Sequence, residues 1–286
     1  MKALLYSNLY ISVAAALLAL GSYRLLGVEP PSYGLIGLIL CATMLVYNLD
    51  RLVGGEREDR VESTVRHLWI RRNRRVVRAL IIGSAVGVVA ALPFLEVATI
   101  AVLAPVGLLS IGYCVPLWKR GRTDEEGRRK GLRFKELPGL KTLAIATVWA
   151  VATVVLPAIE AGVSLQDGSV AVVFVERLIF VFAITLPFDV RDLSRDREAG
   201  IRTLAVLFGA RRALFLAMGL MVVFTVITAA RFLYGGDAAA LVLSGCGVVT
   251  LLALIPAFAP DKRGGLYYTG LLDGTLLLQA ALLLWI

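Results

Sequence analysis

Phe188-Asp189-Val190-Arg191-Asp192-Leu193-Ser194-Arg195-Asp196-Arg197-Glu198-Ala199-Gly200-Ile201-Arg202-Thr203-Leu204 follows an apolar run ending at Pro187, where hydrocarbon gives way to water. Asp189, Asp192 and Asp196 stand at i, i+3 and i+7, so the spacing predicts three carboxylates on one face of a helix. Held this closely they repel one another unless a cation sits among them. Oxygen donors alone, with no His or Cys nearby, suit Mg²⁺, which keeps part of its water and bridges to phosphate oxygens. Arg191, Arg195, Arg197 and Arg202 are interleaved with the acids, and guanidinium groups match phosphate geometry. Acids for a metal and arginines for phosphate, at a membrane boundary, read as a site for a lipid diphosphate. A mixed-charge loop can also be a solvated turn; the third Asp, the apolar flanks and the following Gly-Ile-Arg-Thr-Leu set this one apart.

Outward from this stretch the chain is apolar. Of its 286 residues 58% are hydrophobic, and the mean hydropathy is +0.80. A soluble protein of this size needs a polar surface that such a composition does not supply, so the class is a polytopic membrane protein. Nine apolar stretches can be marked, at about 7–27, 33–50, 76–95, 97–118, 142–160, 170–188, 203–230, 238–259 and 267–286. Most approach the roughly 20 residues that an α-helix needs to cross the hydrocarbon core. Backbone groups there must satisfy one another, so the expected fold is an all-α bundle of nine transmembrane helices, a single domain over 1–286. The boundary from Pro93 to Glu96 is short enough to force an antiparallel hairpin. Met1-Lys2 and the run after it read as the start of the first span rather than a cleaved leader.

Charge gives the orientation. Net charge is +9 with a pI near 9.7. With so many spans this marks the cytoplasmic face rather than a nucleic-acid surface, and no nucleic acid is expected. Lys and Arg crowd the segments 51–78, 119–141, 187–213 and 260–266. The opposite connections hold little beyond Arg24, Arg177 and Arg231, with Glu160, Asp167 and Asp237. The N-terminus and the basic loops are therefore expected in the cytoplasm and the C-terminus outside. The charged stretch 121–131 is expected to be a mobile excursion. Cys41, Cys114 and Cys246 are scattered, without ligand spacing, and read as packing residues.

Two further cytoplasmic segments carry candidate site residues. Asn48 and Asp50, in Tyr47-Asn48-Leu49-Asp50-Arg51, are costly near apolar sequence unless they are ligands or hydrogen-bonded partners; capping a helix end is their other use. Tyr113 opens Tyr113-Cys114-Val115-Pro116-Leu117-Trp118-Lys119-Arg120, which continues to Lys135 and Lys141. Lys119, Arg120, Lys135 and Lys141 can hold an anionic head group, though anchoring at the interface accounts equally for Trp118 and Arg120. His67 has nothing to pair with in the sequence.

With these residues in view the chain resembles the UbiA superfamily of intramembrane prenyltransferases, which have nine transmembrane helices and two Asp-rich motifs after helices two and six. Asp189-x-x-Asp192-x-x-x-Asp196-x-x-x-Gly200-Ile201-Arg202-Thr203-Leu204 resembles the second motif and its tail. Tyr113 to Arg120, with Pro138 and Lys141, resembles the loop between helices four and five. The first motif departs from the family's Asn-Asp-x-x-Asp-x-x-x-Asp: aligning Asn48 on its Asn puts Leu49, Leu52 and Glu56 where carboxylates belong, and aligning Asp50 centrally puts Gly54 at the last acid.

The resemblance implies Mg²⁺-dependent transfer of an isoprenyl group from an allylic prenyl diphosphate to an aromatic or lipid acceptor within the bilayer. It implies metal ligands at Asp189, Asp192 and Asp196, with Asn48, Asp50 and Glu56 at a second metal. Arg195, Arg202, Lys119 and Lys135 would bind the diphosphate, and Tyr113 would face the allylic cation or the acceptor. Two other readings stay open. The eroded first motif favours a non-catalytic protein of the same fold that binds a lipid phosphate. A prenyl-diphosphate cyclase or phosphatase needs ionisation but no acceptor.

Overall fold

The computed structural model describes residues 2–58, 69–70, 72–114, 118–123, 129–132, 140–198, 200–260 and 263–285. A short α1 (Lys2–Tyr6) leads into α2 (Leu9–Leu25), α3 (Tyr33–Glu58), α4 (Arg74–Phe94) and α5 (Val97–Cys114). A two-stranded ribbon, β1 (Trp118–Thr123) and β2 (Arg129–Leu132), precedes α6 (Leu140–Glu160) and α7 (Gly168–Arg191). The short α8 (Leu193–Glu198) and α9 (Leu204–Phe208) then lead to α10 (Ala210–Gly235), α11 (Ala238–Phe258) and α12 (Tyr267–Trp285).

Among the described residues, seven helices are long and apolar enough to cross a membrane: α3, α4, α6, α7, α10, α11 and α12. The helices α2 and α5 are apolar but shorter. Apart from the ribbon the protein is an all-α membrane bundle. Three expectations change in detail. Of the stretch 121–131, residues 121–123 and 129–131 belong to the ribbon and the rest lie outside the described residues; the strands pair antiparallel with Trp118 opposite Leu132 and Thr123 opposite Arg129. The seventh apolar stretch is broken at Gly209 (φ 86°), so α9 and α10 are separate. Arg177 lies within α7 and is buried, not in a loop.

The helices close into a ring. α2 packs on α12, α12 on α11, α11 on α10, α10 on α7, α7 on α6, and the π-helical part of α6, Val151–Val155, returns to α2. α3 lies on α2 and carries α4 and α5 outside it. Large apolar side chains such as Phe180, Leu186 and Phe224 fill the core, but unlike in a soluble bundle they also cover the outside. Inside α2 the buried positions include Ser12, Ala14, Ala15, Ala16, Ala19 and Ser22, whereas Val86, Val89, Leu108, Val226 and Leu252 point outward. Apolar side chains gain nothing by hiding from lipid, so small residues that let backbones approach line the contacts. At Gly87 a Cβ would come within 2.6 Å of Cys41 Sγ, so α3 and α4 pack this closely only with glycine there.

Connections at one end are short and pinned. The Leu92–Phe94 turn supplies the expected hairpin between α4 and α5. Glu160, at the end of α6, accepts from Thr99 Oγ1 (2.6 Å), the Glu96 amide (3.2 Å) and Ser32 Oγ (3.3 Å). The other end is where the chain leaves α3, α5 and α7 and enters α2, α6 and α12, and it is there that polar side chains converge.

Candidate functional site

Those six helix ends enclose a cavity of about 260 Å³. Its charged lining comes from Asp50 and Arg51 of α3, Lys141 of α6, Asp189 and Arg191 of α7, the α7–α8 residues Asp192, Arg195 and Asp196, and Asp273 of α12. Further along the same helices the wall becomes apolar, with Ile11, Leu109, Ile145 and Val148. Val148 is two helical turns beyond Lys141, roughly 10 Å deeper into the bundle at 1.5 Å per residue.

The three acids of the second motif do not share one continuous helix. α7 ends at Arg191, Asp192 is its C-cap residue, and Asp196 belongs to α8. Asp189, 1% exposed, accepts from Thr142 Oγ1 at 2.6 Å through Oδ2. Its Oδ1 lies 2.9 Å from Lys141 Nζ, but outside hydrogen-bonding geometry, so this is an ion-pair contact. The same Nζ donates to Asp196 Oδ2 at 3.0 Å. Asp192 turns away: Arg191 donates to it through Nε (2.8 Å) and Nη2 (2.9 Å), and Arg195 Nη1 stands 3.9 Å off. The Arg191 guanidinium lies over both Phe188 (5.1 Å) and Tyr268 (5.0 Å), a fixed cation between two ring faces.

These environments push the acids apart. Burial favours a neutral Asp192, but Arg191, Lys141 and Arg195 outweigh it and hold the carboxyl well below the usual carboxylate range. At Asp196 burial dominates, and with Asp192 and Asp189 nearby it lifts the carboxyl despite Lys141.

The motif's tail is structural. Gly200 takes φ 72°, and the Ile201 amide donates back to the Asp196 carbonyl at 2.8 Å, a left-handed stop that ends α8. Thr203 Oγ1 accepts from the Val206 amide at 3.3 Å and caps α9. Arg202, between them, is exposed and does not line the cavity.

The first-motif residues divide. Asp50 lines the cavity. Asn48, 1% exposed, is occupied elsewhere: its amide donates to the Met44 (2.8 Å) and Ser7 (3.0 Å) carbonyls, and its oxygen accepts from Asn8 Nδ2 (3.1 Å). Asn8 has φ 63° at the break between α1 and α2, so Asn48 holds that break in place. Glu56 is in α3, Tyr113 in α5 and Lys119 in β1, but their side chains lie outside the described residues, as do Lys135 and His67 altogether.

The structure adds residues that the motifs alone did not single out. Lys141 is the one basic candidate of that loop whose side chain is among the described residues, and it stands between Asp189 and Asp196; Thr142 beside it fixes Asp189. Tyr47 Oη accepts from Trp149 Nε1 at 3.3 Å, presenting two aromatics to the cavity. Asp273 follows the π-helical turn Tyr267–Leu272, a distortion common at functional sites. A lone acid inside an apolar span was the signal for it.

Among the described residues no three His, Cys, Asp or Glu side chains are grouped to hold a metal ion. The physical reason is on view, since Lys141 and Arg191 stand where the carboxylates would otherwise converge. The donors are nevertheless the right kind: all oxygen, with a buried Asp189 Oδ1 that accepts no hydrogen bond.

The bundle is shared with solved structures. A UbiA homolog from Archaeoglobus fulgidus bound to GPP and Mg²⁺ superposes with a TM-score of 0.64 at 15% identity, covering 100% of both chains. The apo UbiA homolog from Aeropyrum pernix K1 gives 0.68 at 13% identity, over 95% of each. A digeranylgeranylglyceryl phosphate synthase gives 0.59 at 12% identity, over 100% of each. None of the curated protein sequences compared matches the chain. The sequence model of the UbiA prenyltransferase family matches residues 71–265, from the start of α4 to the loop before α12 and across the whole second Asp motif. The chain belongs to the UbiA prenyltransferase family.

Proposed function

We propose that this protein transfers an isoprenyl group from an allylic prenyl diphosphate to an acceptor within the membrane. The observation that carries the reading is one cavity with carboxylates and cations at the helix ends and an apolar wall beyond them. That polarity matches a substrate with an anionic head and a hydrocarbon tail. The A. fulgidus homolog in complex with GPP or DMAPP and Mg²⁺ supports the same substrate class.

Bound Mg²⁺ neutralises diphosphate charge and assists its departure. Asp189, Asp192 and Asp196 are assigned to holding the cations from one side and Asp50 from the other, with Glu56 the next acid along α3. Asn48 supports this wall rather than facing it. Arg195 and Lys141, with Lys119, Lys135 and Arg202, are assigned to the departing diphosphate. The apolar wall keeps water from the allylic cation. Tyr47 and Trp149 are assigned to face it, and Tyr113, in α5, is assigned to the cation or the acceptor.

The bundle is assigned nine spans, with α2 and α5 joining the seven longer helices. The cavity end is assigned to the cytoplasm because Arg51, Arg74, Arg75, Arg211, Arg212 and Arg263 lie there, whereas Glu29, Glu96, Glu160, Asp167 and Asp237 lie at the other.

The test is pyrophosphate release by the purified protein with Mg²⁺ and a panel of allylic diphosphates, with and without aromatic and lipid acceptors. Release that requires an acceptor is expected. Release without any acceptor would turn the reading towards a cyclase or phosphatase, and binding without release towards a lipid-phosphate binder.

A further inference from the structure

Lys141 is placed unlike the other cations of the site. Its ammonium touches carboxylates from two different helices, Asp189 Oδ1 at 2.9 Å and Asp196 Oδ2 at 3.0 Å. The neighbouring Thr142 hydroxyl holds the other oxygen of Asp189 at 2.6 Å. Arg191, by contrast, is committed to Asp192 by two hydrogen bonds and lies over two rings. A guanidinium so engaged is hard to move, whereas an ammonium on a four-carbon stem is a mobile point charge.

Two carboxylates against one ammonium leave a local charge of about −1, whereas a dication in the ammonium's place brings it to about zero. The ammonium and a divalent ion cannot share the gap, because both need Asp189 Oδ1 and Mg²⁺ takes its oxygens at about 2.0–2.1 Å. The Lys141 side chain is 15% exposed and reaches the cavity from the first turn of α6, so it has somewhere to go.

We propose that Lys141 is a built-in counter-ion that exchanges with the catalytic cation: it bridges Asp189 and Asp196 before a divalent ion binds, and swings to the diphosphate oxygens when one does. This rests on the prenyl-diphosphate reading above. It gives one residue two successive partners. The unloaded acids are spared mutual repulsion, metal affinity is kept low in the absence of substrate, and the displaced charge is delivered to the diphosphate that arrives with the metal. Metal and diphosphate should accordingly bind with positive coupling, each favouring the Lys141 position that the other requires.

Two measurements on the full chain in detergent test this, neither relying on turnover. The first follows Mn²⁺ alone by electron paramagnetic resonance. Lys141→Met is expected to tighten Mn²⁺ binding on the order of tenfold or more, because a unit charge beside the ligands is gone. The same variant at saturating Mn²⁺ is expected to bind inorganic pyrophosphate on the order of tenfold more weakly, having lost a direct cation contact. Unchanged or weaker Mn²⁺ binding overturns the proposal. The second needs no variant and so survives any failure of Lys141→Met to fold. Acetylation of Lys141 in the wild-type protein, read by mass spectrometry, should rise when Mn²⁺ is added and fall again when pyrophosphate follows. Labelling indifferent to Mn²⁺ overturns the proposal. Failure of the broader reading would appear elsewhere, as allylic diphosphates that release no pyrophosphate while Mn²⁺ still displaces Lys141.

Discussion

Helix α7 carries a buried charge cluster at each end, and the two are built to opposite purposes. Near its start Glu176 and Arg177 are 2% and 3% exposed. Arg231 of α10 donates to Glu176 at 2.5 Å and also to Asp237, whose carboxylate caps α11 through the Ala239 and Ala240 amides. Arg177 donates to Gln279 of α12 at 2.8 Å. Each of these partners comes from a different helix, and none of them lines the cavity. At the other end Asp189, Asp192 and Asp196 meet Lys141, Arg191 and Arg195 beside open space. Exposure does not separate the two, since Asp192 and Arg191 keep 18% and 28% here and Arg231 and Asp237 keep 21% and 37% there. Both clusters pair opposite charges, but only one borders a cavity. Ion pairs packed between helices fix those helices; the same chemistry facing a cavity leaves room for a ligand.

The comparison breaks most sharply at Arg231. Removing one partner of a buried pair leaves an uncompensated charge and costs about 3–5 kcal/mol. Arg231→Met is therefore expected to lower the melting temperature in detergent more than any single change at the cavity, while the folded fraction keeps its turnover. Glu176→Gln added to Arg231→Met should recover much of the loss. A variant that melts normally but loses turnover would show that the cluster around Arg231 takes part in the chemistry.

At the cavity the expected ranking reverses. Asp196→Asn keeps the shape and removes the charge that a hard cation needs, so turnover should fall on the order of 10²-fold or more. Stability should move by only about 1 kcal/mol, because burial already opposes the ionised carboxyl. A rate within about threefold of wild type, at unchanged Mg²⁺ response, would reduce the acid cluster to the role of the one around Arg231.

The eroded first motif supplies the next distinction. Asp50→Ala should cost on the order of 10²-fold in turnover with a near-normal melting temperature, since Asp50 faces the cavity. Asn48→Ala should do the reverse. It removes the side-chain bonds to the Ser7 and Met44 carbonyls and from the Asn8 amide, a loss of about 1–3 kcal/mol, with a normal Mg²⁺ dependence in the protein that folds. If Asn48→Ala shifts the Mg²⁺ requirement instead, Asn48 leaves its amide network to ligate.

What the sequence disclosed follows the same division. Hydropathy located the seven long apolar helices among the described residues, because a span must be long and continuous to satisfy its backbone in lipid, but not the break at Gly209. The spacing of Asp189, Asp192 and Asp196 drew attention to a segment that borders the cavity, but helical periodicity could not foresee the break at Asp192, where Arg191 turns back on its neighbour. Asn48 looked like a ligand because a buried amide is expensive. The expense is met instead by Asn8, forty residues away, a pairing no local pattern reveals. Glu176 and Arg177 were hidden for the opposite reason: adjacent opposite charges near a span's end resemble the edge of a loop until α10 and α12 are packed against them.

The smallest effects are expected in the tail of the second motif, where ligand and scaffold residues alternate. Gly200 holds a left-handed conformation, so Gly200→Ala places a Cβ in a backbone region that costs roughly 1–2 kcal/mol. Thr203→Ala removes the α9 cap at about 1 kcal/mol. Both changes act on the connection that returns Ile201 to the cavity, so their cost should appear in the melting temperature. Arg202 lies between these two and is exposed, with no cavity contact in this structure. Arg202→Ala should leave stability within about 0.5 kcal/mol. Its effect on catalysis then separates two uses of the tail. If Arg202 reaches the diphosphate only as a distant charge, pyrophosphate binding should weaken by less than about threefold, and that loss should vanish at high salt. A salt-resistant loss of tenfold or more would mean that the loop closes over the bound diphosphate and brings Arg202 into direct contact, extending the charged cluster beyond the residues that line the cavity here.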